Sequence, residues 1–268
     1  MHCSANIFIV CSGRTTNDPP SVGLILGRRP CLQADAKLWD VVPAYCLLTS
    51  ELKSAPMHRY LDLSHPIASG MSLYPGTPMP RIEQIHSVEK DGYSEQKLTM
   101  HLHTGTHIDA PGHIIQGGKL LDEYSLGSFH GKAITIDCRN NASEIGLSVV
   151  AAYEGFIGDA DFILFCTGWS QYWGTPKYMD YPVLSPDLCR WIAERTIRGV
   201  GMDTISPDPI ESEALNCHKI LMMKEVLIIE NLTGLEEIID KPVEILCFPI
   251  AVKSADGAPV RAVARVIL

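Results

Sequence analysis

Four of the ten histidines crowd into thirteen residues, His101-Leu102-His103-Thr104-Gly105-Thr106-His107-Ile108-Asp109-Ala110-Pro111-Gly112-His113. Imidazole titrates near neutrality and is the commonest side-chain metal ligand, so such crowding points to a metal or to proton transfer. His103 and His107 are spaced i, i+4, as paired zinc ligands are on a helix. Thr104, Gly105, Thr106 and Pro111 make a helix unfavourable there. In an extended chain, residues two apart share a face. The spacing therefore predicts a strand-like row carrying His101, His103, His107 and Asp109 on one side, with Gly105 opening space between them. Two imidazole nitrogens and a carboxylate oxygen suit Zn²⁺, and also Mn²⁺ or Fe²⁺. Three protein ligands leave a coordination position free, as catalytic metal sites do. His113 lies past the Pro111-Gly112 turn and is expected outside the ligand row, free to move protons. His101 is expected to support the ligands rather than join them.

The elements that must position this cluster are readable in outline. Tyr60 to Ser64 alternates like a strand and leads into a Pro/Gly-rich loop, Pro66 through Tyr74-Pro75-Gly76-Thr77-Pro78. Lys132 to Asp137 and Phe162 to Thr167 read as buried strands, and Gly199 to Asp203, Leu227 to Glu230 and Val243 to Ile250 as further strands. Ser185 to Thr196 opens with Ser-Pro-Asp and reads as a capped helix. Strands interleaved with helix predict a mixed α/β (α+β) single domain.

The chain has 268 residues, 46% hydrophobic and 20% charged, enough for one large globular domain plus an appendage. Its net charge of −9 disfavours nucleic acid as a partner. No stretch approaches the roughly 18 apolar residues of a spanning helix, so no membrane role is expected. Nine cysteines without CxxC spacing argue against a disulfide framework or a Cys-ligated metal, and favour buried, reduced thiols in a cytoplasmic protein. Cys166 and Cys217, though adjacent to candidate functional residues, are read the same way. Residues 1–56 hold five basic and four acidic residues, four cysteines and scattered prolines, with no sustained period. They are expected to form a poorly ordered and dispensable extension, Met57 being an alternative start, with the functional domain at 57–268.

His-Thr-Gly-Thr-His-Ile-Asp-Ala-Pro-Gly-His, positions 103–113, matches the HxGTHxDxPxH motif of the cyclase family of metal-dependent hydrolases, which includes bacterial kynurenine formamidase and isatin hydrolase. Similar features run from about Tyr60 to the C-terminus: Tyr74-Pro75-Gly76, Thr167-Gly168-Trp169, Gly201-Met202-Asp203-Thr204, and His218 with Glu230-Asn231-Leu232. The resemblance implies the family's swivelling β/β/α-type single domain. It implies that His103, His107 and Asp109 hold a first divalent metal, Zn²⁺ or Mn²⁺. In the formamidase branch Asp109 would bridge to a second ion held also by His218 and Glu230, and His113 would be the catalytic acid/base. A homodimer or homotetramer is implied as well.

The expected reaction is hydrolysis of a small amide by metal-activated water, with His113 passing a proton to the leaving nitrogen. The leading expectation is an arylformamidase converting N-formylkynurenine to kynurenine and formate in tryptophan catabolism. Isatin-hydrolase-like opening of a cyclic amide or lactone is the alternative, and a non-catalytic metal-binding regulator a third. Retention of His113, which metal binding alone does not need, disfavours the third. No GxSxG elbow supports a covalent acyl-enzyme. Tyr74 and Trp169 are the expected substrate-binding aromatics, with Tyr172, Trp173 and Tyr178 as further candidates. Family members acting on N-formylkynurenine often carry Trp where this chain has Tyr74.

Overall fold

The computed structural model describes residues 59–140 and 143–266. The expected extension, residues 1–56, and Met57 itself lie outside the described residues. Thirteen strands occur among the described residues: β1 (Arg59–Asp62), β2 (Arg81–His86), β3 (Glu95–Thr99), β4 (His107–Asp109), β5 (His130–Asp137), β6 (Glu144–Ile145), β7 (Phe162–Cys166), β8 (Val183–Leu184), β9 (Gly199–Met202), β10 (Leu227–Glu230), β11 (Val243–Leu246), β12 (Gly257–Pro259) and β13 (Val263–Val266). The α-helices are short: α1 (Val88–Asp91), α2 (Glu154–Ile157), α3 (Pro186–Ala193) and α4 (Asn216–Met222).

Nine strands form one mixed sheet in the order β1-β13-β11-β5-β7-β9-β10-β4-β12. The central β5, β7, β9 and β10 run parallel, and the outer strands pair antiparallel. This is the mixed α/β class that the interleaved runs predict. The unbroken apolar run Phe162-Ile163-Leu164-Phe165-Cys166 explains why β7 lies at its middle, because a strand with both faces covered needs no polar side. Phe162, Leu164 and Cys166 enter one core with Ile108 and Ile229, while Ile163 and Phe165 enter a second with Ile228 and the buried sides of α3 and α4. Helix α3 starts where its cap requires: the Ser185 hydroxyl accepts the Leu188 N–H at 3.2 Å, and Pro186 occupies the first turn. It then buries Leu188 and Ile192 completely, worth about 2 kcal/mol each.

Two expectations change, and one element is new. The strand expected from Val243 to Ile250 ends at Leu246, just before Pro249 enters an isolated bridge with Val260. The β2–β3 hairpin, exposed along nearly all its length, carries no apolar alternation by which it could be foreseen. The strand-like row from His101 to Asp109 is reduced to β4, because Gly105 takes φ +71° and turns the chain. An ideal Cβ at that glycine would stand 2.6 Å from Ile67 Cδ1, so both the space and the backbone call for glycine.

The described cysteines, Cys138, Cys166, Cys189, Cys217 and Cys247, are free and buried, as expected of small apolar groups. No helix among the described residues is long and apolar enough to cross a membrane.

Candidate metal centre

The site forms at the β10-β4-β12 edge of the sheet, on the face that carries the second core. Alternation along β4 sends Ile108 into the first core and leaves His107 and Asp109 on the opposite face. Antiparallel register sets Glu230 directly across from His107 and Ile228 across from Asp109. Glu230 thus joins His107 on one face by strand pairing, across 123 residues of sequence. The Gly105 turn, not strand alternation, returns His103 to the same place.

His103 Nδ1 lies 2.6 Å from Asp109 Oδ1, and His107 Nε2 lies 3.3 Å from both Asp109 Oδ1 and Glu230 Oε2. His218, brought in by α4, places Nε2 3.4 Å from Glu230 Oε1. His107, Asp109, His218 and Glu230 are all buried. Two overlapping donor groups result, His103/His107/Asp109 and Asp109/His218/Glu230, each with its ligand atoms within 4.8 Å of one another. Asp109 belongs to both.

The rings are oriented from behind. His107 Nδ1 donates to the Gly105 carbonyl at 2.9 Å, which turns Nε2 toward the two carboxylates. Asn231 Nδ2 donates to the same carbonyl at 2.9 Å, and Asn231 itself sits at φ +58°, a conformation asparagine tolerates. His218 Nδ1 donates to Asp208 Oδ2 at 2.7 Å, while the Cys217 and His218 backbone N–H groups donate to the same carboxylate at 2.8 and 2.9 Å. In each case the inward Nε2 faces carboxylate oxygens, an approach that needs a proton or a metal cation between them. Asp109 Oδ1 and Glu230 Oε1 are buried and lack a hydrogen-bond partner among the described residues. His103 Nδ1 also makes none, despite its short approach to Asp109. Orphaned oxygens among imidazole nitrogens with fixed tautomers fit a divalent cation.

The electrostatics agree. Burial opposes a charged ring at His107, but Asp109 and Glu230 outweigh it and hold its pKa at about 9. At His218 burial is likewise overcome, by Asp208 and Glu230, and the pKa stands at about 10. Burial works to raise the Asp109 carboxyl, yet His107 and His103 keep it well below the usual carboxylate range. The cluster demands positive charge at its centre.

His103, His107, His218 and Glu230 line a cavity of about 380 Å³, together with His113, Leu73, Tyr74, Ile205 and Leu215. Burial dominates at His113 and lowers its pKa, which favours the neutral ring. Tyr74 lies in the lining, and its hydroxyl donates to the Ile210 carbonyl at 3.1 Å. Trp169 does not line the cavity. Its indole N–H donates to the Tyr178 carbonyl, and it packs with Tyr172 and Trp173 beside the buried Tyr178, so these aromatics support a loop instead. His101 is exposed and in the lining rather than behind a ligand. Asp208 and Asp256 were not foreseen: neither lies in a motif, and only the folded chain brings them to His218 and His113.

Residues 61–209 match the Cyclase family model, described as "Putative cyclase". The chain belongs to this family. Among curated cyclase-family relatives, kynurenine formamidase of Bacillus anthracis is 32% identical over 211 residues, covering 78% of this chain and 98% of that protein. Kynurenine formamidase of Bacillus mycoides matches to the same extent. Among solved structures, isatin hydrolase A from Labrenzia aggregata bound to benzyl benzoate superposes with a TM-score of 0.70 at 24% identity, over 79% of this chain and 94% of that one. A "potential metal-dependent hydrolase with cyclase activity" superposes with a TM-score of 0.67 at 27% identity, over 78% and 98%. Together they establish the fold as that of the cyclase family.

Proposed function

We propose that this cyclase-family chain is a metal-dependent arylformamidase, hydrolysing an N-formyl-arylamine such as N-formylkynurenine to the amine and formate. The observation that carries this reading is the pair of three-donor groups sharing Asp109, whose histidines and Glu230 line a cavity that the His113 ring also lines. The nearly full-length likeness to bacterial kynurenine formamidases supports the substrate class.

His103, His107 and Asp109 would hold a first ion, and Asp109, His218 and Glu230 a second, Zn²⁺ or Mn²⁺ being suited to mixed imidazole and carboxylate donors. A divalent cation supplies Lewis acidity, polarising the formyl carbonyl and acidifying water. The chain's own groups do the rest. Gly105 O and Asp208 hold the His107 and His218 rings so that each Nε2 faces inward. His113 faces Asp256 with Nδ1, which leaves Nε2 to accept a proton from the attacking water and deliver it to the departing anilide nitrogen. Leu73, Tyr74, Ile205 and Leu215 present an apolar wall to the aryl ring.

The test is elemental analysis of the purified protein together with turnover on N-formylkynurenine, formanilide and isatin. One or two divalent ions per chain and formate release from the formyl-arylamines are expected. A metal-loaded protein that opens isatin and leaves formyl-arylamines intact would refute the assignment.

A further inference from the structure

Asp256 stands immediately before β12 and belongs to none of the motifs above. Its carbonyl accepts the Ala110 N–H at 2.8 Å, tying it to the residue that follows β4 and lies three before His113. Its Oδ2 lies 3.5 Å from His113 Nδ1 and 3.3 Å from His103 Nε2. The His103 and His113 rings stack with centroids 4.0 Å apart and planes inclined by 27°, so both turn a ring nitrogen toward the same oxygen. The contact to His113 has hydrogen-bond geometry, whereas His103 Nε2 makes no hydrogen bond. An ionised carboxylate only accepts, so in the hydrogen bond between them His113 Nδ1 is the donor. Free imidazole divides between two tautomers, and this contact selects the one whose Nε2 carries the lone pair.

We propose that Asp256 is a positioning residue that fixes His113 in the Nδ1–H tautomer, so that Nε2 is ready to receive a proton in every turnover. The inference rests on the reading of His113 as the proton carrier. The carboxylate is 43% exposed, so replacing it leaves no buried charge behind and the fold should survive. The same three groups, His103, His113 and Asp256, also stand close enough to hold an ion. Binding of an ion there would make the effect of Asp256 pass through metal content instead.

The experiment uses metal-replete protein and compares Asp256→Ala and Asp256→Glu in two backgrounds, the natural chain and His113→Ala. Asp256→Ala should lower kcat about 10- to 100-fold, the range for a lost supporting partner, with KM and metal content unchanged. Asp256→Glu should recover part of the loss. In the His113→Ala background the Asp256→Ala change should alter kcat less than twofold. Side-chain ¹⁵N spectra should show His113 protonated at Nδ1 in the natural chain and a tautomer mixture in Asp256→Ala. Persistence of the full loss without His113, a parallel loss of metal, or an unchanged His113 tautomer would each overturn the proposal. The tautomer spectra need no turnover, so failure of the arylformamidase reading would appear separately, as natural protein inactive toward formyl-arylamines.

Discussion

Gly257→Ala tests the position of His103 without touching a titratable group. Gly257 lies in β12 opposite Asp109, and its φ is not in the left-handed region, so alanine fits the backbone. A Cβ there would stand 2.7 Å from His103 Nε2 and 2.8 Å from Nδ1, against 3.4 Å or more in ordinary contact. The ring must therefore withdraw by at least about 0.7 Å at Nε2. Metal-ligand distances tolerate only about 0.2 Å, so His103 would leave any ion shared with His107 and Asp109. Because the His103 side chain is 24% exposed, it can swing toward solvent instead of straining the sheet. The stability cost should fall near the low end for overpacking, about 1 kcal/mol, or roughly 2–4 °C in Tm for a domain of this size. The metal affinity should fall at least about 10- to 100-fold, the usual cost of disturbing even a ligand's support. The assay is residual metal after equilibration with a competing chelator, read beside Tm and kcat/KM. In a His103→Ala background, Gly257→Ala should do nothing further. Unchanged metal retention, or an equal stability loss in that background, would refute the placement of His103.

His113→Ala should retain its metal and lose about 10²- to 10⁴-fold in kcat; an unchanged kcat would remove the ring from proton transfer. Metal affinity should rise with pH up to about 10, because His107 and His218 hold protons below pKa values of about 9 and 10 and a cation must displace them. Calorimetric titration at pH 7 in buffers of different ionisation enthalpy checks the sign, and binding without proton release would contradict it. Asp208→Ala removes the acceptor of two backbone N–H groups and the His218 ring, and should destabilise the fold by at least about 2 kcal/mol in chemical unfolding. A loss below about 1 kcal/mol would show that water replaces the carboxylate.

What could be read in the sequence was what is local. The run from His103 to His113 concentrates its chemistry in eleven residues, and the strand core of β7 and the Ser185 cap depend on residue types side by side. The site's remaining parts depend on pairing between distant segments. Nothing near Asp256 in sequence announces that it faces His113, 143 positions away, and Asp208 reaches His218 only because α4 turns its first N–H groups onto it. Alternation placed His107 and Asp109 correctly and His103 for the wrong reason, since one positive φ at Gly105 replaces the strand by a turn. Trp169 shows a different limit: its indole answers to the Tyr178 carbonyl, a partner no spacing rule names.

The two short strands at this end of the sheet give the centre a second role. β4 and β12 have three residues each, and a strand that short has few ladder hydrogen bonds with which to hold its neighbours. The donors that face one another come from β4, the end of β10, the Gly105 turn and α4, four pieces that otherwise meet along narrow seams. A cation drawn to them would act as a rivet through the margin of the sheet. Loading the ion and closing that margin would then be a single equilibrium, and a chelator would loosen the protein at the place where it works.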